Sequence, residues 1–198
     1  MERSLDVFTF ELASKTPTPG GGGAAALCAA LAAALGSMTA NFTLGKKKYA
    51  EFDDEMRAII SECAVLRSRM LLLIEADAAA FEPLSRAYAI PKDDPGRDET
   101  LEKCLLDAAA VPMEIARLSR RIMELADLLE QHGSALMVSD AGCCASIASA
   151  ALDSAALNVL VNTRLMKNRD KAEELNTKLR KLMENKPETY SRVFKRLS

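Results

Sequence analysis

Residues 22–44 read GGAAALCAALAAALGSMTANFTL. A helix of that composition carries small or apolar side chains on every face, and such a helix is stable only when enclosed. Its length raises the question of a membrane span. Ser37, Thr39, Asn41 and Thr43 interrupt it, and alanine, a weak lipid-facing residue, supplies most of the rest. A helix buried inside a protein is the better assignment. A second segment of the same kind runs from about Ala141 to Met166. The two imply an all-α bundle with a pair of small-faced helices at its centre, their backbones closely approached by neighbours.

The remaining segments supply the wrapping. Helices are predicted over 4–13, about 52–88, about 98–131 and about 169–182, with a further turn after Pro187. In the third predicted helix Ile59, Ile60, Leu66, Met70, Leu73 and Ile74 recur at helical spacing. IPKDDPGRDE (90–99) is a loop, marked by its prolines, its glycine and Asp93 and Asp94. Pro112 predicts a kink or break near Ala110. Asp140 is placed to cap the helix that follows it, and His132, before Gly133, reads as a helix C-cap without a chemical role. No alternating strand pattern or internal repeat is present, so residues 1–198 are taken as one helical domain. Central helices this small-faced often complete their core against a second copy, and a homodimer is expected.

Composition excludes several classes of function. The chain is 49% apolar, carries a net charge of −2 and mixes both signs of charge along its length. That leaves no broad basic surface for nucleic acid and no polybasic anchor for a membrane. The five cysteines (Cys28, Cys63, Cys104, Cys143 and Cys144) show no CxxC spacing and read as buried thiols in a reducing cytoplasm. One histidine cannot build a histidine-rich metal site, so neither a metal nor a cofactor is expected. Met1 to Leu12 lacks the basic-then-apolar order of a signal peptide, which fits a cytoplasmic location.

The chemistry is sought around TPTPGGGGAAA (16–26). No strand precedes these glycines and no lysine follows within reach, so neither a P-loop nor a dinucleotide fingerprint is present. Gly20, Gly21 and Gly22 nonetheless open a long helix, where free N–H groups can cradle a carboxylate or carbonyl oxygen. Alternatively they form a tight turn where only glycine clears a neighbouring helix. Asp77 lies mid-helix among Ala76, Ala78, Ala79 and Ala80, where a solvated acid has little reason to be. It is a candidate general acid/base, or else a core aspartate that caps a helix or pairs with an arginine. Lys46, Lys47 and Lys48 follow a helix C-terminus, which favours cations whether or not they act. Tyr49 is a possible proton donor or a core-edge residue, and Asn41 and Thr43 need hydrogen-bond partners inside a buried helix.

Taken together these motifs resemble the formiminotransferase-cyclodeaminase/cyclohydrolase family. The residues that carry the resemblance are Pro17 to Gly22, Asn41 to Tyr49, Asp77-Ala78 with Phe81, Ser139 to Gly142, and Asn158-Val159 with Asn162. They occur in the family's order across about Leu5 to Asn162. The resemblance implies a dimeric helical enzyme of one-carbon tetrahydrofolates. Its members close 5-formiminotetrahydrofolate to the 5,10-methenyl form with loss of ammonia, or hydrolyse the methenyl form to 10-formyltetrahydrofolate. It further implies Asp77, Lys48, Asp140 and Tyr49 as catalytic candidates. Gly20, Gly21, Gly22, Asn41, Thr43, Lys46, Lys47, Asn158 and Asn162 are the substrate-binding candidates. Asp140 and Asn158 share a helix face about 27 Å apart, so they would serve opposite ends of a long folate or act across a dimer interface; alternatively Asn158 and Asn162, the latter above all, only tie helices together. The chain departs from the pattern in having Gly23 where the family has serine, GSALMV (133–138) where it has Asn-Pro, and Ser154 where it tends to have glycine. The rival expectation is a helical folate-binding or scaffold protein without turnover.

Overall fold

A computed structural model describes residues 4–198; residues 1–3, which begin both the domain and the stretch tested for a signal peptide, lie outside the described residues. Every regular element among the described residues is helical: α1 (Leu5–Ala13), α2 (Gly21–Asn41), α3 (Asp53–Tyr88), α4 (Arg97–His132), α5 (Val138–Leu165), α6 (Arg169–Met183) and α7 (Thr189–Leu197). The start of α2 meets Asp77 of α3 and Asn158 of α5, whereas Gly36, further along, meets Cys63 and Cys144. Helices α2 to α5 therefore alternate in direction as an up-and-down bundle. Helices α2 and α5 are its centre, α3 and α4 enclose them, and α6 and α7 pack across α5 and α4.

The two central helices are held by what they lack. Ala25, Ala26, Ala29, Ala32, Ala33 and Ala40 of α2 are buried, as are Ala141, Ala145, Ala148, Ala151 and Ala155 of α5. Bulk comes from their neighbours: Met56, Met70 and Leu73 of α3, and Ile115, Ile122, Leu125 and Leu129 of α4, are fully buried. Large residues interdigitating over a small-residue spine reach the density of a protein interior without voids. The segments Gly21–Asn41 and Ala135–Leu165 are long and apolar enough to cross a membrane by length and composition, but here they are these core helices. One apolar face of the pair is not covered within the chain: Leu31 on α2, Phe42 just after it, and Leu157, Leu160, Val161 and Leu165 on α5 are exposed.

Several sequence-based expectations change. Helix α2 ends at Asn41, and Gly45 turns the chain with φ +75°, its N–H donating to Asp53 Oδ1 at 3.0 Å. Helix α4 runs unbroken through Pro112. Asp140 is not a cap: α5 starts at Val138 with Met137 in the N-cap position, so Asp140 sits inside the first turn. There its charge still suits the positive end of the helix. His132 is the last residue of α4 and not its C-cap; its Nδ1 lies 2.6 Å from Glu55 Oε2 and its ring stacks on Phe52 at 4.4 Å, tying α4 to α3. Of the cysteines, all free, only Cys63 and Cys144 are buried, while Cys28 and Cys104 are half-buried and Cys143 is exposed. Burial pushes the Cys63 thiol up to about 11 and the Cys144 thiol higher still, so neither is a thiolate at neutral pH.

The turn anticipated after Pro187 is a full helix. Arg120 anchors the link before it by donating to the carbonyls of Glu184 (2.9 Å) and Asn185 (2.8 Å). Thr189 Oγ1 donates to Asp127 Oδ1 at 2.7 Å, and Arg192 pairs with Asp127 and Glu130. Val193 then fills the notch over Gly142, where a Cβ would lie 2.8 Å from Val193 Cγ1. Gly142→Ala is therefore expected to lift α7 and cost about 1–3 kcal/mol. Limited proteolysis should show faster cleavage after Leu182 in the variant than in the parent, together with a lower Tm.

Candidate active site

A cleft of about 220 Å³ opens where the four bundle helices meet at one end, lined by the 17–22 turn, Asp77 and Phe81 of α3, Pro112 of α4, and Asn158, Val161 and Asn162 of α5. Its floor is the start of α2. Gly20 is the N-cap and offers no side chain. The first intrahelical bond is Ala24 N–H to Gly20 O at 3.0 Å, so the N–H groups of Gly21 and Gly22 have no helical acceptor. Gly23 N–H donates to the Asp77 carboxylate. Asp77 thus caps α2 from a neighbouring helix, and it does so while lining a cleft.

The glycines are needed for contact and not for backbone conformation. A Cβ on Gly22 would overlap the Asp77 carboxyl, and one on Gly21 would stand 3.1 Å from Asn158 Nδ2. At Gly23 a Cβ would make ordinary contacts, 3.6 Å from Pro19 Cβ and 3.8 Å from Ile74 Cγ2. A Cβ at Gly23 would therefore fit without displacing anything. Burial raises the Asp77 carboxyl above the ordinary aspartate value, and the Gly23 N–H opposes that only in part. A carboxyl whose charge is disfavoured in a partly closed cleft is suited to exchanging protons with a bound substrate.

Pro112 and Asn162 explain each other. Proline at 112 has no N–H for the carbonyl of Ala108, four residues back, and that orphaned acceptor would be costly in a packed helix. Asn162 Nδ2 donates to Ala108 O at 3.3 Å, and also to Asn158 O at 2.8 Å. Asn158 Nδ2 donates to Ser154 O at 2.9 Å. This is why α4 continues through its proline. Pro112, Ala108 and Val161 were not read as site residues from the sequence; a proline inside a helix facing an asparagine on another was the available signal.

The structure brings together Gly20, Gly21, Gly22, Asp77, Asn158 and Asn162. The other candidates lie at the far end of the bundle, about 30 Å away along the 21-residue α2. There Thr43 is buried, its Oγ1 donating to Thr39 O (2.9 Å) and accepting from Ser134 N–H (2.8 Å), so it ties the turn after α2 to the link before α5 and is closed to a ligand. Asn41 Nδ2 donates to Ser37 O at 2.8 Å. Lys46 Nζ donates to Ser134 Oγ at 3.0 Å, and Lys47 and Lys48 are exposed. Lys48 Nζ stands 5.4 Å from the Tyr49 ring centroid. The Tyr49 hydroxyl accepts from Ala135 N–H at 3.0 Å, and that bond, helped by Lys48, lowers its pKa. Asp140, near the start of α5, belongs to this far end too.

Comparison with known proteins covers nearly the whole chain. The family described as formiminotransferase-cyclodeaminase matches residues 4–181. A methenyltetrahydrofolate cyclohydrolase of Methylorubrum extorquens is 38% identical over 175 residues, covering 86% of this chain and 84% of that protein. The formimidoyltransferase-cyclodeaminase of Rattus norvegicus is 32% identical over 170 residues, and the match spans 84% of this chain but only 31% of the rat protein. The crystal structure of a formiminotetrahydrofolate cyclodeaminase from Thermotoga maritima superposes with a TM-score of 0.89 at 30% identity, covering 98% of this chain and 94% of the other.

The raised pKa of Asp77 has a signed consequence for stability. The fold favours the protonated carboxyl, so its contribution is complete below the unfolded aspartate value (about 3.9) and is lost as pH rises through the higher folded value. Asp77→Asn keeps an acceptor for Gly23 N–H without the buried charge. Its Tm should equal or exceed the parent's at neutral pH, with the difference shrinking as pH falls through the carboxylate range. A large loss of Tm at neutral pH would mean that Asp77 is mainly a helix cap.

Proposed function

Since this chain belongs to the formiminotransferase-cyclodeaminase family, we propose that it transforms a one-carbon tetrahydrofolate in the cleft at the start of α2. The reactions are hydrolysis of 5,10-methenyltetrahydrofolate to 10-formyltetrahydrofolate, and ring closure of 5-formiminotetrahydrofolate with release of ammonia. The higher identity to the Methylorubrum cyclohydrolase, 38% against 30% to the Thermotoga cyclodeaminase, favours the hydrolytic reaction. The observation that carries the proposal is Asp77, a half-buried carboxyl with a raised pKa on the wall of a ligand-sized recess.

Both reactions pass through a tetrahedral carbon between two folate nitrogens. In hydrolysis, Asp77 as carboxylate takes a proton from the water that adds to the one-carbon unit. It returns that proton to the ring nitrogen whose bond to the carbon breaks, while the hydroxyl left on the carbon releases its own proton to solvent and becomes the formyl oxygen. In ring closure the protonated carboxyl supplies the proton with which ammonia leaves, and the attacking nitrogen gives one up. The N–H groups of Gly21 and Gly22 face whatever negative charge or carbonyl oxygen the substrate brings to the helix terminus.

Lys48 and Tyr49 reach such a cleft only from another subunit. The protein is proposed to act, in the cytoplasm, as a homodimer that buries the exposed stripe of Leu31, Leu157, Leu160 and Val161. Val161 belongs both to that stripe and to the cleft wall, so a partner seated on the stripe also roofs the cleft. With a two-fold axis across the helices, the paired α2 helices run antiparallel. The partner's lysine-tyrosine end then lies near the glycine end of the first chain.

Loss of the near-ultraviolet band of 5,10-methenyltetrahydrofolate, followed against an enzyme-free control, tests the activity. Asp77→Asn is expected to slow it by about 10²–10⁴-fold. Folate binding without turnover on either substrate would instead support the non-catalytic reading. Mixing Asp77→Asn with Lys48→Ala tests the shared site. If each cleft uses Asp77 of one chain and Lys48 of the other, reassorted dimers should recover about a quarter of parental activity. No recovery after subunit exchange would overturn the shared site, and full activity of Lys48→Ala alone would remove Lys48 from it.

A further inference from the structure

The folate reading leaves open which part of a long substrate the cleft receives. Resting on that reading, we propose that it receives the pteridine, and that Asn158 and Asn162 read the donor edge of its 2-amino-4-oxo-pyrimidine ring. The p-aminobenzoyl-glutamate tail would lie outside.

The argument begins with the two side-chain amides. An asparagine can offer a ligand either its oxygen or its nitrogen, and usually the ligand decides. Here the choice is made by the protein. Asn162 Nδ2 is committed to the Ala108 carbonyl left without a donor by Pro112, and to Asn158 O as well. Asn158 Nδ2 is committed to Ser154 O. Turning either amide would set oxygen against a carbonyl oxygen. Both Oδ1 atoms accept no hydrogen bond among the described residues, and with the second N–H of Asn158 Nδ2 they are the groups left for the cleft that both residues line. Asp77 adds further acceptors when ionised. Donors come from the floor, where Gly21 and Gly22 N–H lack helical partners.

The wall thus offers neighbouring acceptors from side chains beside donors from backbone. Its complement is a planar group with adjacent N–H donors next to an acceptor. The 2-amino-4-oxo-pyrimidine edge has that order: the amino group, N3–H, then O4. Phe81, Pro112 and Val161 supply apolar walls suited to a flat ring system. The volume, about 220 Å³, falls below the ~300 Å³ at which pockets begin to enclose a drug-sized ligand, so it suits a bicyclic ring but not a whole folate. Asp77 and Asn158 approach consecutive glycines, Gly22 and Gly21. A ring held by the asparagines therefore keeps its far side, which bears the one-carbon unit, near the carboxyl.

Equilibrium binding to the unmodified protein tests this with three probes: 6-methyltetrahydropterin, its 2,4-diamino counterpart, and p-aminobenzoyl-glutamate. The pterin should bind and displace 5-formyltetrahydrofolate. The 2,4-diamino compound, which sets a bare N3 against an amide oxygen, should bind at least about tenfold more weakly. The tail fragment should not compete with the pterin. Asn158→Leu, which removes one acceptor and leaves the Asn162–Ala108 bond in place, should narrow the preference between the two pteridines. Equal affinity for both pteridines, or displacement of the pterin by the tail fragment, would overturn the assignment while the folate reading stands. If neither 5-formyltetrahydrofolate nor any fragment binds, the folate reading falls and this assignment falls with it.

Discussion

Helix α2 has almost no side chains to present, and the positions of its neighbours follow from that. Where Gly36 faces them, a single added carbon would lie 3.2 Å from Cys63 Sγ and 3.5 Å from Cys144 Sγ. Contact that close means the backbone of α2 itself is the packing surface. The bulk absent from α2 is supplied by Met56, Met70 and Leu73 on one side and by Ile122, Leu125 and Leu129 on another. Enlarging a residue on such a spine would force several helices apart together, because close-packed interiors have no slack to absorb it.

The cleft is the same economy carried to the end of the helix. Without side chains on Gly21 and Gly22, the terminus has bare donors, and a carboxyl from α3 and an amide from α5 can come right up to them. One donor is taken by Asp77 and the others remain. Across the cleft, a proline removes a donor from α4 and an asparagine of α5 replaces it, which fixes the asparagine's polarity. Two local deficits in helical hydrogen bonding, a helix N-terminus and a proline, thus create the polar character of an otherwise apolar recess. Burial of Asp77 between them disfavours its charge, and a proton-exchanging group results.

Much of this was legible in the residues. Asp77 among alanines was conspicuous because a charge there has no solvent, and the structure puts it against the glycines. Asn158 and Asn162 were recognised on one stretch of helix, one turn apart, and both line the cleft. Thr43 was recognised as a buried hydroxyl in need of a partner; the partner is the Ser134 N–H. Asp140 was misread because capping depends on where the first helical residue falls, and Val138 starts α5 earlier than the alanine run suggests. His132 was misread because its partners, Glu55 and Phe52, lie at the start of α3, distant in sequence.

By itself the sequence determined the class and centre of this protein, because periodicity and side-chain size act locally. Long stretches of small and apolar residues with little or no charge can only be the enclosed helices of a bundle, and the glycines before the first of them mark an exposed set of donors. The sequence also bounded distances along one helix, since rise per residue is fixed. Which ends of different helices coincide was decided only by the tertiary structure. Helix direction alternates through loops whose sequences carry no such information, and that alternation put Asp77 and the asparagines with the glycine turn while sending Lys46, Lys47, Lys48 and Tyr49 to the other end. The orientation of an amide, likewise, waits on a carbonyl from another helix.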